Sequence, residues 1–201
     1  MDTTAGERKL PDINTPQNRY RAIKKIRQAM SVDLETALRA CERMSPVFAR
    51  KAAQLISDLR AIKRQIEGRA EALGYSKRCR QAIEVCGGEC CVWHFPQTLT
   101  AVDFFIAVFD LTADERQVLV EQIENPAKER YQCPLLRKGG CIFAFQSRPI
   151  VCTSAFPCLA GEEYWVYKER FRKDIDGIYT DIRRLLAITG QERSLHEDYR
   201  H

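Results

Sequence analysis

Residues 45–74 read SPVFARKAAQLISDLRAIKRQIEGRAEALG, and this stretch decides the fold. Ser45 followed by Pro46 is a helix start signal. The serine hydroxyl can accept from a first-turn N–H, and proline suits the first helical position because the donor it lacks has no intrahelical partner there. Phe48, Ala52, Leu55, Leu59, Ile62, Ile66 and Leu73 then recur at helical spacing until Gly74 stops the pattern. One long amphipathic helix is predicted.

Towards the N-terminus the same signal appears as Thr15-Pro16, followed by Tyr20, Ile23, Met30, Leu34, Ala37, Cys41 and Met44 at alternating spacings of three and four, broken only at Arg27. The two helices are expected to pack antiparallel as a hairpin. Cys41 falls on its seam as a core residue rather than a ligand. Towards the C-terminus a third long helix is predicted from about Glu162 to Thr189, with Phe171, Ile175, Ile178, Ile182 and Leu185 on one face and Gly190 as its cap. It could complete a three-helix bundle. Between hairpin and terminal helix lie an apolar helix near Thr100–Phe109 and a second one, opened by the capping box Thr112-x-x-Glu115 and running to about Glu124. Internal repeats and low-complexity tracts are absent. Only Cys141-Ile142-Phe143-Ala144-Phe145 alternates, as a short strand or a helical turn.

The chain has 201 residues, 45% of them hydrophobic, enough for a real core. Its most apolar run, Phe104–Phe109, is far short of the roughly 20 residues that span a bilayer, so a soluble protein without a membrane partner is expected. The opening MDTTAGERKLPD lacks the apolar centre of a signal peptide, which predicts a cytoplasmic location and reduced cysteines. The net charge of +5 is uneven: residues 1–80 hold 18 Lys and Arg against 9 Asp and Glu, leaving 14 against 18 beyond. The two parts suit different partners. Arg19, Arg21, Lys24, Lys25, Arg27, Arg60, Lys63 and Arg64 could contact phosphate, but they read more simply as wet helix faces. With no reading motif and no aromatic stacking set, nucleic acid is not the expected partner. Glu84, Glu89, Asp110, Asp114 and Glu115 make no convincing acid–base pair.

Eight of the nine cysteines fall in two knots, Cys79, Cys86, Cys90 and Cys91, then Cys133, Cys141, Cys152 and Cys158. That is the ligand count of two tetrathiolate sites, and thiolate is the soft donor that holds zinc or iron in a reducing compartment. Buried cysteines scatter along a chain, whereas these sit beside glycine and proline turns. In Cys86-Gly-Gly-Glu-Cys90-Cys91 the glycines allow a tight turn that brings N–H groups towards the sulfurs. In Cys133-Pro134 and Arg148-Pro149-x-x-Cys152 each proline fixes the chain near a cysteine. The compact first box supplies three thiolates, one short of a closed tetrahedral site, so the two knots are expected to converge. Arg148 is a candidate cofactor-binding residue, as a donor to bound thiolates or as a structural partner. His94 is a further candidate ligand or a structural histidine, and His196 and His201 belong to a polar tail. Trp93, Phe95, Phe143, Phe145 and Phe156 could wall off a cluster or simply pack in the core.

Taken together, Cys86-Gly-Gly-Glu-Cys90-Cys91, Cys133-Pro134-Leu135-Leu136, Cys141-Ile142-Phe143 and Arg148-Pro149-Ile150-Val151-Cys152 resemble the YkgJ-like cysteine-cluster family, whose members carry a CxxCxxCC zinc- or iron-chelating domain. The resemblance covers residues 79–158 and does not extend to the hairpin. It departs from the family pattern at Cys79-x6-Cys86-x3-Cys90-Cys91, where the first spacings are stretched. It implies thiolates chelating iron as an iron–sulfur cluster, or zinc, and it implies no settled reaction. Some longer relatives are associated with lysine methylation, but this chain has no glycine-rich nucleotide loop.

The expectation is therefore a mainly α protein, a helical hairpin plus a long C-terminal helix supporting an irregular cysteine-rich metal-binding module. Its parts are a basic hairpin extension at 1–78, the module at 79–160 and the C-terminal helix at 161–201, packed on the hairpin. Redox, electron-transfer or metal-handling work follows from ligation. The alternatives are an iron–sulfur-dependent protein-modifying enzyme, or a zinc-stapled adaptor that binds a protein partner through the basic hairpin.

Overall fold

The computed structural model describes residues 16–75, 78, 98–124, 136–137, 140–141, 143, 147–154 and 160–197. They form a mainly α structure: α1 (Pro16–Arg43), α2 (Pro46–Ala72), α3 (Ala101–Val108), α4 (Ala113–Glu124), β1 (Leu136–Arg137), β2 (Gly140–Cys141), α5 (Ile150–Ser154), α6 (Glu162–Glu169) and α7 (Arg172–Glu197).

The start and stop residues act as their chemistry requires. The Phe48 N–H donates to Ser45 Oγ at 3.4 Å, capping α2. At the other end Gly74 takes φ +72°, a left-handed conformation that costs glycine little, and its N–H bonds to the Glu71 carbonyl at 2.8 Å. At α4 the capping box closes in both directions. The Thr112 N–H donates to Glu115 Oε2 at 2.8 Å and the Glu115 N–H donates to Thr112 Oγ1 at 3.3 Å. The bonds from Thr112 hold the Glu115 carboxyl below the usual range.

The main core joins Met30, Leu34, Ala37 and Ala40 of α1 to Ala52, Ile56 and Leu59 of α2, to Leu119 and Ile123 of α4, and to Ile182, Leu185 and Leu186 of α7. Helix α3 lies within it, with every residue from Val102 to Val108 buried, as befits a helix that is apolar on nearly all sides. Burying such a helix requires neighbours all round. Accordingly the closest backbone approaches of α1 are to α3, α4 and α7, and those of α2 are to α7, α5 and α6. Helix α7 approaches both α1 and α2, and residues of all three meet in the main core. A second cluster of Ile66, Ala70, Tyr75 and Tyr164 ties α6 to the end of α2. The two tyrosine rings meet edge to face at 5.4 Å, the Gly161 N–H donates to the Tyr75 hydroxyl at 3.2 Å, and Arg69 pairs with Glu163.

Two local expectations are corrected. The C-terminal helix is two helices, because the chain tightens at Arg170 and Phe171, whose N–H groups reach back three residues to the carbonyls of Tyr167 and Lys168. That turn brings Phe171 against the second cluster. Nor does Gly190 end the helix, which continues to Glu197; a glycine weakens a helix by about 1 kcal/mol without breaking it, and Gln191, Glu192, Arg193 and Leu195 are good helix formers. His196 is therefore on a helix rather than in an irregular tail. Of the stretch Cys141–Phe145, Cys141 lies in β2, which pairs antiparallel with β1, Leu136 opposite Cys141 and Arg137 opposite Gly140, while Ile142, Ala144 and Phe145 lie outside the described residues.

Candidate metal centre

The Arg148-Pro149-x-x-Cys152 box is the part of the cysteine region whose surroundings are described. Pro149 is buried and opens α5, with the Cys152 N–H donating to the Pro149 carbonyl at 3.0 Å. Thr153 Oγ1 donates to the Ile150 carbonyl at 3.2 Å, closing the turn. Proline suits this place because its fixed φ pre-sets the chain for a helix. One face of α5 is apolar. Ile150 packs against both core clusters, and Val151 and Cys152 pack against the main one. Cys152 is thereby half-buried against α2 and the main core.

Polar groups from three helices converge on this box. Lys63 of α2 is only 3% exposed, and its ammonium donates to the Arg148 carbonyl. Tyr179 of α7 receives the Ile150 N–H at its hydroxyl oxygen and donates its own proton to Asp103 Oδ1 at 2.8 Å. Asp103 of α3, 5% exposed, also accepts from the Thr100 N–H and hydroxyl, both at 2.9 Å to Oδ2. A continuous chain of bonds thus runs from the start of α3, through α7, to the start of α5. Such a chain satisfies groups that would be costly to bury alone.

The electrostatics follow from the burial. Desolvation brings the Lys63 ammonium down to about 8, helped by Arg60 and Arg148 and opposed by Cys152 and Glu67. Burial raises the Asp103 carboxyl against the pull of its hydrogen bonds from Tyr179 and Thr100. Burial, followed by the neighbouring Asp103, pushes the Tyr179 phenol well above its ordinary value. Both Lys63 and Tyr179 lie within electrostatic reach of Cys152.

The remaining predicted residues divide plainly. Cys79, Cys86, Cys90, Cys91, Cys133 and Cys158 lie outside the described residues, as do His94, Trp93, Phe95, Phe145 and Phe156, and so does the expected convergence of the two knots. Cys141 is described through its backbone in β2, beside Leu136. Among the described residues no three His, Cys, Asp or Glu side chains gather as a metal-holding group. Arg148 is half-buried, and its Nε donates to the Phe143 carbonyl at 3.0 Å, so its side chain secures the backbone leading into α5. Phe143 is a core residue, edge-on to Phe104 at 6.5 Å. Cys41 is a half-buried free thiol against the main core, and burial pushes it up to about 11.

Lys63, grouped by sequence with the wet-face cations, points inwards instead, and Arg60 pairs with Asp110 at 2.6 Å. Arg21, Lys24, Lys25 and Arg64 are exposed as expected. Asp103 and Tyr179 had drawn no notice. Asp103 and Lys63 each had a signal in the sequence. Thr100-x-x-Asp103 is a capping pattern, and Ile56, Leu59, Lys63, Ile66 and Ala70 follow one another at spacings of three and four, which marks Lys63 as a member of the buried stripe. A separate cleft of about 290 Å³ lies between α3, α4 and Phe143, lined by Ala107, Leu111, Val118 and Leu119 with Asp114 and Glu115; none of the predicted ligands is among its described lining residues. No helix among the described residues is long and apolar enough to cross a membrane. Compared with protein-family models, with curated proteins and with solved structures, the chain matches none.

Proposed function

We propose that this protein is a cysteine-cluster protein that chelates iron, as an iron–sulfur centre, or zinc, and that it serves redox, electron-transfer or metal-handling work. The observation that carries the reading is the gathering of eight of nine cysteines between Cys79 and Cys158, beside the glycine and proline turns that thiolate sites use. The setting of Cys152 supports it. Cys152 is half-buried on a short helix, and the segment leading into that helix is held by the buried Lys63 ammonium at the Arg148 carbonyl. Cys79, Cys86, Cys90, Cys91, Cys133, Cys141, Cys152 and Cys158 are the ligands proposed. An iron–sulfur centre would supply one-electron chemistry. Zinc would supply cross-linking of the segment. The cations Arg78, Arg80, Arg137, Lys138 and Arg148 in and around the cysteine region favour the iron–sulfur form, because a cluster whose charge changes needs tuning by its surroundings.

The test is metal analysis with an absorption spectrum on anaerobically purified protein. The expected result is brown protein containing iron and acid-labile sulfide that bleaches on reduction. Colourless protein with stoichiometric zinc, even after anaerobic reconstitution with iron and sulfide, would select the zinc-stapled adaptor, whose partner surface would be the exposed cations of α1 and α2. Protein that takes up neither metal would refute the proposal.

A further inference from the structure

We propose that α6 is a self-association surface. A second copy of this chain docks antiparallel on its exposed face, and the Glu162 carboxylate of each copy pairs with the Arg170 guanidinium of the other. The proposal is independent of the cysteine centre and holds for the metal-free chain.

Val166 is 56% exposed and its neighbour Trp165 37%; nowhere else among the described residues do two exposed large apolar side chains adjoin in sequence. Val166 is the middle of a stripe. Glu162, Val166 and Arg170 are spaced by four, so they stand one above the next along the helix, and all three are exposed. Arg170 is the C-cap with a helical backbone, which carries the stripe through it. The three residues line one open groove of about 420 Å³, with Arg69 and Tyr167 on its other side.

The stripe begins with an acid and ends with a base, which makes it self-complementary. A two-fold axis passing at Val166 sets position 162 of one copy against position 170 of the other, because both are four residues from the axis. Two equivalent acid–base pairs then form about 12 Å apart, with the two valines packed between them. The antiparallel sense also opposes the helix dipoles favourably, whereas a parallel copy would set like charge against like. Among the described residues Glu162 and Arg170 have no ion-pair partner within the chain. Glu163 and Glu169, the like charges that the same axis brings together, are neutralised beforehand: Arg69 pairs with Glu163, and Arg172 with Glu169 at 3.0 Å. The Arg170 guanidinium lies 5.6 Å from the centre of the Tyr167 ring, and a guanidinium stacked on a ring keeps its N–H edge free for a carboxylate. Arg170 is thus held beside the groove and still able to bond across it.

The experiment measures the mass of the full chain by sedimentation equilibrium over a range of concentrations, in chelator and reductant, so that neither metal nor disulfide can join two copies. Wild type is expected as a monomer–dimer equilibrium that weakens as salt is raised, because the pairs sit in a small, partly wet interface. Glu162→Arg and Arg170→Glu, each checked for wild-type helicity, should weaken dimerisation by about tenfold, since either change turns both pairs repulsive. Mixed in equal amounts, the two variants should regain the wild-type constant, because in the mixed dimer every acid again faces a base. Val166→Asp, which sets two charges at the axis, should abolish the dimer, and Lys24→Glu, a charge reversal on α1, should leave it intact. A chain that stays monomeric up to about 1 mM overturns the proposal, since weaker association is no specific interface. So does a dimer that ignores the reversals at 162 and 170, or one that mixing does not restore; copies would then meet through another surface, and the α6 face would be left to a different protein.

Discussion

Replacing Lys63 with methionine should stabilise the metal-free protein at neutral pH and destabilise it at high pH, and the crossing point is set by one buried ammonium. In the unfolded chain this group titrates at 10.5, and in the folded protein burial brings it down to about 8. Between those values the unfolded chain holds a proton that the folded one has released, so unfolding free energy rises with pH across this window. The gap corresponds to about 3 kcal/mol. Below pH 8 both states carry the proton and the full cost of burying the charge is present; above 10.5 it is gone. Methionine never bears that cost, but it leaves the Arg148 carbonyl without its lysine donor, a loss of about 1–2 kcal/mol. The variant should therefore be about 1–2 kcal/mol more stable than wild type at pH 7, and less stable by a similar margin near pH 10.5.

Urea denaturation in chelator and reductant from pH 7 to 10.5 measures this directly, and the comparison must be made as a difference between the two proteins. Cys41, raised from 9.0 to about 11 by burial, keeps its proton in the folded state after the unfolded chain has lost it. Its contribution therefore falls as pH rises from 9 to 11, partly hiding the gain from Lys63 in the wild-type curve alone. In the difference curve Cys41 cancels. A difference that stays flat, or that moves in favour of methionine as pH rises, would refute the account of Lys63 as a buried cation.

Other substitutions probe neighbouring parts of the same reasoning. Tyr179→Phe, which removes the hydroxyl between Ile150 and Asp103, should cost about 2 kcal/mol by urea denaturation; no loss would mean that the buried carboxylate is satisfied without it. Gly177 lies in α7 with open space where a Cβ would go, so Gly177→Ala should stabilise by about 0.8 kcal/mol. Gly74→Ala, forced into φ +72°, should destabilise by about 1 kcal/mol. In metal analysis Cys41→Ala should leave the content unchanged and Cys152→Ala or Cys91→Ala should lower it; equal loss in all three would defeat the division between core and ligand cysteines.

Helices were legible where polar punctuation and apolar period agreed. Ser45-Pro46, Thr112-x-x-Glu115 and Gly74 each mark a boundary through a local bond, and local bonds are what a sequence encodes most directly. The division of the C-terminal helix was harder to see, because Arg170 and Phe171 are acceptable helix residues and the turn there follows from what Phe171 packs against. The inward side of α2 was misjudged for a similar reason. Hydropathy sets lysine among the wet residues, yet the spacing of Leu59, Lys63 and Ile66 places it on the buried stripe, where its ammonium meets the Arg148 carbonyl across 85 residues of sequence. Of the proposed ligands, Cys152 alone has its side chain described, and its docking to α2 depends on long-range contacts that spacing does not carry.

Those contacts change the meaning of the hairpin and the terminal helix. Read from the sequence, they are supports appended to a separate cysteine module. In the folded chain α5 is bonded to α2 through Lys63 and to α7 through Tyr179, and Tyr179 is in turn bonded to Asp103 in the most buried helix of the core. Ile150 belongs to both hydrophobic clusters at once. The helical body thus holds the start of the Arg148–Cys152 segment by the Lys63 ammonium on one long helix and the Tyr179 hydroxyl on another, and loss of either bond should loosen that segment even where the fold survives.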